Sequence, residues 1–365
     1  MSPAASGARE GDIIVSVVGV RPHFIKAFPF IKAMASSPAR VLTLHTGQHY
    51  DRNMSELFFK ELDMPAPDID LGVGSGTHAE QTAAVIVGVE RALLEIRPRA
   101  VVVYGDTNST LGATLAATKL DFPVVHIEAG VRCANREMPE EINRTLIDHV
   151  ADHLICPSAL AVANLRGEGI TRGVMNAGDF MYDTFLFAQA VAAEKDIRLD
   201  SYDVESGRFV LSAVHREFST SSVEALVDLL DALGGLGEPV ILPLHPRTKA
   251  RLLSAGISLE RSDDLRILEP LGYLELAFLL SHARMVATDS GGLQKEAYWA
   301  GVPCVTLMNE TTWPETVEAG WNVLVGLDPA AIREAVASEL GGGERPEVYG
   351  APGAARRVVE ALEWE

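Results

Sequence analysis

Short aliphatic and β-branched runs alternate with longer amphipathic stretches along almost the whole chain, which restricts the folds open to it. Ile13–Val18, Val41–Leu44, Ala100–Tyr104, Val124–Ile127 and His153–Cys156 have the length and unbroken apolar character of buried strands. Phe24–Ala35, Ala79–Glu95 and Glu140–Val150 read as helices between them. Continuous apolar strands separated by helices predict a parallel sheet covered on both faces. The rhythm then restarts with strands at Phe209–Ala213, Val240–Leu244, Leu265–Leu268, Met285–Thr288 and Pro303–Leu307. Helices such as Ser222–Leu233 and Gly292–Ala300 lie between these. A boundary is expected around residues 185–207, where a helical stretch gives way to the polar Ser201–Gly207 segment. The expected architecture is α/β, with two doubly wound Rossmann-like domains facing a cleft, over residues 12–185 and 207–345.

The polar residues follow a second pattern: they cluster just after the strands' carboxyl ends. Gly19-Val20-Arg21-Pro22, His45-Thr46-Gly47-Gln48-His49, Gly105-Asp106-Thr107-Asn108 and Glu128-Ala129-Gly130 do so in the first half. His215-Arg216-Glu217, His245-Pro246-Arg247, Glu269-Pro270 and Asp289-Ser290-Gly291-Gly292 do so in the second. Open α/β sheets bind their ligands at those ends. Loop position alone explains polarity, but not carboxylates and histidines set directly after apolar strands.

Charge narrows the ligand. A formal net charge of −19 argues against nucleic acid, which needs a basic footprint. A phosphorylated small molecule would have to be held by local Arg, Lys and backbone N–H groups against an unfavourable overall field. The three cysteines (Cys133, Cys156 and Cys304) lie far apart, in no metal-like spacing, as expected of a chain in the reducing cytoplasm. Residues 1–11 lack an apolar core and read as a frayed tail, not a signal peptide; no run is long enough to span a bilayer, so no membrane partner is expected.

Within Asp289-Ser290-Gly291-Gly292, paired glycines opening a helix let backbone N–H groups approach a phosphate; an ordinary cap by Asp289 or Ser290 is the alternative. Gly19-Val20-Arg21-Pro22 lacks the Gly-x-Gly-x-x-Gly of a dinucleotide site. Arg21 and Lys26 could meet a diphosphate, or be a solvated surface pair. Asp106, Glu128 and Pro139-Glu140-Glu141 bring carboxylates to the mouth of an apolar sheet, where partial desolvation adjusts proton affinity. Capping and ion pairing with Arg132, Arg136 or Arg144 would be the structural use of the same groups. His45-x-x-x-His49, with Asp51 nearby, has helical metal-ligand spacing, but Thr46-Gly47 makes a turn of it, so no metal is expected. His215 suits contact with phosphate or sugar.

In these motifs the chain resembles the non-hydrolysing UDP-N-acetylglucosamine 2-epimerases from about Ile13 to Val325. The motifs occur in order: Gly19-x-Arg21-Pro22, Thr46-Gly47-Gln48-His49, Gly105-Asp106-Thr107, His126-Ile127-Glu128-Ala129-Gly130-x-Arg132 and Pro139-Glu140-Glu141-x-Asn143-Arg144. His215-Arg216, His245-Pro246, Thr288-Asp289-Ser290-Gly291-Gly292-x-Gln294-x-Glu296 and Pro314-Glu315 follow. The resemblance implies a GT-B-like fold, with a final segment, 346–365, whose helix crosses back to the first domain. It implies proton removal at C2 as UDP leaves C1, then re-addition through 2-acetamidoglucal. It assigns acid–base work to Asp106, Glu128 and Glu140, with His215 assisting near the diphosphate. Arg21, Lys26, His245, Tyr273, Ser290, Gly291, Gly292 and Glu296 would hold the UDP-sugar. No metal or redox cofactor is required, and a homodimer is implied. A GT-B glycosyltransferase, a hydrolysing epimerase and a non-catalytic sugar-nucleotide sensor are the rival readings. Departures from the family pattern are Phe218-Ser219 after His215-Arg216-Glu217, His23 where Glu often follows Arg-Pro, and Met308 in place of a common Arg.

Overall fold

The structure is a computed structural model and describes residues 13–48, 59–133, 135, 137–220 and 222–362. The chain divides into two compact units: the first runs through Thr184 and takes in the segment from Glu347 onward, and the second is Phe185–Pro346. The division falls inside the helix Phe180–Glu194.

The first unit is built on seven parallel strands: β1 (Ile13–Val18), β2 (Arg40–His45), β3 (Ile69–Asp70), β4 (Ala100–Tyr104), β5 (Val124–Ile127), β6 (His153–Cys156) and β7 (Val174–Asn176). Their order is β3-β2-β1-β4-β5-β6-β7, so the winding reverses between β1 and β4. That reversal is where doubly wound sheets open a crevice for ligand. Pairing of Tyr104 with Ile127 brings the carboxyl ends of β4 and β5 level, which sets Asp106 and Glu128 on neighbouring turns. Val15, Val17, Val101 and Val103 pack against Val85, Val89 and Leu93 of the helix His78–Ile96, and against Ala113 and Ala117 of the helix Asn108–Lys119. The final helix, Ala354–Ala361, packs on the helix Arg21–Met34 of this unit. The Asp183 carboxylate accepts the N–H groups of Gly353 and Ala355 where it begins.

The second unit repeats the plan with β8 (Val210–Ala213), β9 (Val240–Pro243), β10 (Leu265–Leu268), β11 (Met285–Thr288), β12 (Cys304–Thr306) and β13 (Asn322–Leu324). The order is β10-β9-β8-β11-β12-β13, again parallel and again reversing beside its first strand. The two sheets with interleaved helices are two Rossmann-like domains, as the alternation predicts. Three strands escape that reading: β3, β7 and β13. Each lies at a sheet edge or next to one and has two or three residues, too few to display a period. The first helix begins at Arg21, earlier than Phe24, because Pro22 presets helical φ in its opening turn.

Candidate active site

In the first unit the carboxylates are held by bases from two helices. Glu128 follows β5 with φ 74°, left-handed backbone that a non-glycine residue adopts at a cost of about 1–3 kcal/mol. It is over-determined there: its N–H and that of Ala129 both donate to the Ile155 carbonyl, and its Oε1 accepts from Lys26 Nζ at 2.7 Å. Lys26 and Glu128 are both largely withdrawn from solvent, so this is a sheltered ion pair. Gly105 stands against it. A Cβ at that position would lie 3.2 Å from Lys26 Nζ and 3.8 Å from Glu128 Oε1, and φ is +62°. Only glycine lets the turn after β4 approach so closely.

Asp106 is pinned from the helix Pro139–Val150. Arg144 donates to its Oδ2 from Nε and Nη2, and Asn143 Nδ2 donates to its backbone carbonyl at 2.8 Å. Arg144 also donates to Glu141, whose Oε2 accepts the Cys133 N–H. Burial alone would loosen the Arg144 proton, but Asp106 and then Glu141 outweigh it, so the guanidinium stays charged. Glu140, in the first turn of the same helix, is half-buried and makes no hydrogen bond or ion pair among the described residues. Of the expected basic residues in this unit, Lys26 pairs with Glu128, while Arg21 opens its helix half-buried. His23 is a buried ring that accepts the Gly19 N–H at Nδ1 and has Nε2 near the hydroxyls of Thr107 and Thr110.

Beneath the turns lies a buried polar network that the motif reading touched at His126 and Arg132 without assembling it. His126 sits within β5 with its Nδ1 2.7 Å from Asp148 Oδ1 and its Nε2 2.7 Å from the Gly105 carbonyl. Asp148 Oδ2 accepts from the Gly130 N–H and from Arg132, which also forks onto Glu168. Burial pushes the Asp148 carboxyl up, but His126 and then Arg132 outweigh it and hold it below the usual range. The available signal was the helix Pro139–Val150 itself. Its inward face carries Glu141, Asn143, Arg144 and Asp148, whereas Ile142, Leu146 and Val150 face outward.

In the second unit the helix Gly291–Ala300 begins directly after β11. Ser290 is its N-cap, accepting from the Leu293 N–H, and the Ser290 N–H donates to Thr288 Oγ1. Gly291 is packed tightly: a Cβ there would lie 3.0 Å from Trp313 Nε1. The fully buried Asp289 carboxylate is turned away from the cap and accepts the N–H groups of His215 and Arg216, joining the turns after β8 and β11. His215 is exposed, with Nδ1 3.5 Å from Asp289. Tyr273 Oη donates to Glu296 Oε1 at 2.8 Å, fixing a buried carboxylate one turn into the glycine-opened helix. His245 is half-buried at the mouth of β9, before the helix Pro246–Ser254. Met308 follows β12, half-buried, and its carbonyl accepts the Gly326 N–H.

Cys156 and Cys304 are buried thiols that burial pushes up to about 12, so neither presents a thiolate at neutral pH. His45 stacks against Phe24, while His49 and Asp51 lie outside the described residues, as does Arg136. Among the described residues no helix is long and apolar enough to cross a membrane.

Two domains, each a parallel sheet with interleaved helices, one presenting carboxylates and the other a glycine-opened helix at strand ends, define a GT-B-like fold. Fold alone is shared with Phytolacca americana UGT2, at 13% identity and a TM-score of 0.62. More narrowly, the chain belongs to the UDP-N-acetylglucosamine 2-epimerase family, whose profile matches residues 32–363. It is 39% identical over 330 residues to UDP-N-acetylglucosamine 2-epimerase of Methanocaldococcus jannaschii, covering 88% of this chain and 90% of that protein. The crystal structure of the M. jannaschii UDP-GlcNAc 2-epimerase in complex with UDP-GlcNAc and UDP matches with a TM-score of 0.89 and 36% identity. That match covers 97% of this chain and 100% of the other. The chain is also 42% identical over 358 residues to the UDP-2,3-diacetamido-2,3-dideoxy-D-glucuronate 2-epimerase of Pseudomonas aeruginosa, covering 96% of this chain and 99% of that protein.

Proposed function

We propose that the protein reversibly epimerises UDP-N-acetylglucosamine at C2 to UDP-N-acetylmannosamine without hydrolysis. A base takes the C2 proton while the C1–O bond breaks and UDP departs, leaving 2-acetamidoglucal. A proton delivered to the opposite face and re-addition of UDP at C1 complete the inversion. The observation that supports this reading is in the first unit: Asp106 and Glu128 stand on adjacent strand-end turns, paired with Arg144 and Lys26, and Glu140 lies in the first turn of the helix that supplies Arg144. C2 is weakly acidic, so proton transfer on both faces needs positioned groups, and retention of UDP needs a firm grip. The second unit supplies that grip: the N–H groups of Gly291 and Gly292 meet the diphosphate, with His215 and His245 contributing, and Glu296, held by Tyr273, meets the ribose hydroxyls; Arg21 and Lys26 are the first unit's own candidates for contact with phosphate. The reaction proceeds in the cytoplasm, where UDP-sugars are made.

A second reading is favoured by the Pseudomonas relative: the substrate carries further groups on the same 2-acetamido core, such as a 3-acetamido group and a 6-carboxylate. His23, Met308 and Phe218-Ser219, which depart from the family pattern, fit a changed sugar shell. The test is incubation with each UDP-sugar, followed by separation of nucleotide and sugar products. UDP-N-acetylmannosamine with no free UDP accumulating is the expected result. Free N-acetylmannosamine would make the protein a hydrolase, and turnover of the diacetamido uronate alone would move the substrate.

We further propose a homodimer, formed through the outward apolar face of the helix Pro139–Val150. Ile142 and Leu146 are 53% and 46% exposed there, one turn apart, on a helix that buries Glu141, Asn143, Arg144 and Asp148. Leaving that face in water is unfavourable, and a second copy would cover it.

A further inference from the structure

We propose that His126 is a doubly protonated positioning residue, which sets the turn carrying Asp106 by donating to the Gly105 carbonyl. Both of its ring nitrogens face oxygens at 2.7 Å. The Gly105 carbonyl can only accept, so Nε2 must carry a proton. Nδ1 faces Asp148, whose other oxygen accepts from Gly130 N–H and from the Arg132 guanidinium at 2.7 Å; that permanent cation favours the ionised carboxylate, whose Oδ1 can then only accept. A neutral imidazole would set a lone pair against an oxygen at one end or the other; the imidazolium satisfies both. The surrounding charges balance it: His126 and Arg132 stand against Asp148 and Glu168.

The consequence for the site lies in what the ring holds. The Gly105 peptide is fixed from both sides, its N–H by the Ile127 carbonyl and its carbonyl by His126. The next carbonyl, that of Asp106, is held by Asn143. Through Asp148 the same ring reaches the Gly130 N–H, two residues beyond Glu128. One buried cation thus ties the turns bearing Asp106 and Glu128 to the helix Pro139–Val150, which carries Glu140 in its first turn. A displacement of the order of 1 Å at such a group costs up to about 10²-fold in rate.

The inference rests on the proposed proton-transfer role of Asp106, and its tests separate the two. His126→Gln places an amide N–H near the position of Nε2 and keeps the donor to Gly105. His126→Asn places one near Nδ1 and keeps only the donor to Asp148. Each loses one buried hydrogen bond, so their thermal midpoints should fall alike. Their rates should not: His126→Asn should lose about 10²-fold in kcat at nearly unchanged KM, whereas His126→Gln stays within about tenfold of wild type. Equal losses in the two would overturn the positioning role. Independently of activity, ¹⁵N NMR of histidine-labelled wild type should show one ring with two protonated, slowly exchanging nitrogens at neutral pH. A pyridine-like nitrogen in the ring assigned by through-bond correlation to His126, as distinct from the buried His23 ring whose Nδ1 accepts the Gly19 N–H, would overturn the charge state, even if either variant failed to fold. An inactive wild type with an intact imidazolium would count against the epimerase reading, not against the ring chemistry.

Discussion

At the scale of the residue, the candidate site is a set of acids whose surroundings are already committed. Glu128 is locked by strained backbone and Lys26, Asp106 is gripped by Arg144 and Asn143, and Glu140 alone is left without a partner among the described residues. If these groups move protons at C2, Asp106→Asn, Glu128→Gln and Glu140→Gln should each lower kcat by about 10²-fold or more, with UDP still bound. Calorimetry with UDP and steady-state rates check this together; near-normal turnover in all three would sink the assignment. Asp148 makes a different kind of prediction. Its folded-state pKa lies below the ordinary 3.8, so folding is favoured by its ionised form, and that contribution is fully present above pH 3.8. It is lost as pH falls through the depressed folded value. The gap in thermal midpoint between wild type and Asp148→Asn should therefore start to narrow as pH falls below about 4. A gap that stays constant down to pH 3 would contradict the linkage. The acids themselves were legible, because each follows an apolar strand or opens a helix. Asp148 and His126 were not. A histidine inside a strand and an aspartate near a helix's end have no spacing that announces contact across 22 residues.

At the scale of the element, the helix Pro139–Val150 inverts the usual amphipathic logic. Glu141, Asn143, Arg144 and Asp148 are buried, each hydrogen-bonded to the turns after β4 or β5, while Ile142 and Leu146 are exposed. Such a helix is read correctly as a helix from its period, but the rule that apolar means inward holds only for Ile147 and misplaces Ile142 and Leu146. The polar face works because every buried group on it has a partner, and burying polar groups without partners would cost about 1–3 kcal/mol each. The apolar face needs its own cover. Leu146→Glu should halve the solution mass measured by light scattering, with the circular dichroism spectrum unchanged. A wild-type chain already monomeric at micromolar concentration would remove the case for a homodimer. The short strands β3, β7 and β13 show the limit from the other side. They exist because neighbouring strands offer a template, Leu44 and His45 for β3 and Leu154 to Cys156 for β7, and not because their own residues insist on it.

At the scale of the whole molecule, the sequence carried the two doubly wound domains through nothing more than the alternation of buried strand and covering helix, repeated once. The family follows from ordered motifs at strand ends, and its profile spans residues 32–363. Which sugar the proposed reaction takes is a matter of finer detail, such as the departures from the family pattern at His23, hydrogen-bonded beneath the first turn, and at Met308 beyond β12. A net charge of −19 makes a loosely held diphosphate easy to lose, so in the proposed reaction UDP must stay bound between elimination and re-addition. The measurement that bears most directly on this is epimerisation in deuterated water, followed by proton NMR of the intact nucleotide-sugars. Both UDP-N-acetylmannosamine and recovered UDP-N-acetylglucosamine should acquire deuterium at C2, with the UDP resonances of the sugar nucleotides conserved in total. Release of UDP with free N-acetylmannosamine, or no exchange at C2 in either sugar over many enzyme equivalents, would contradict the account.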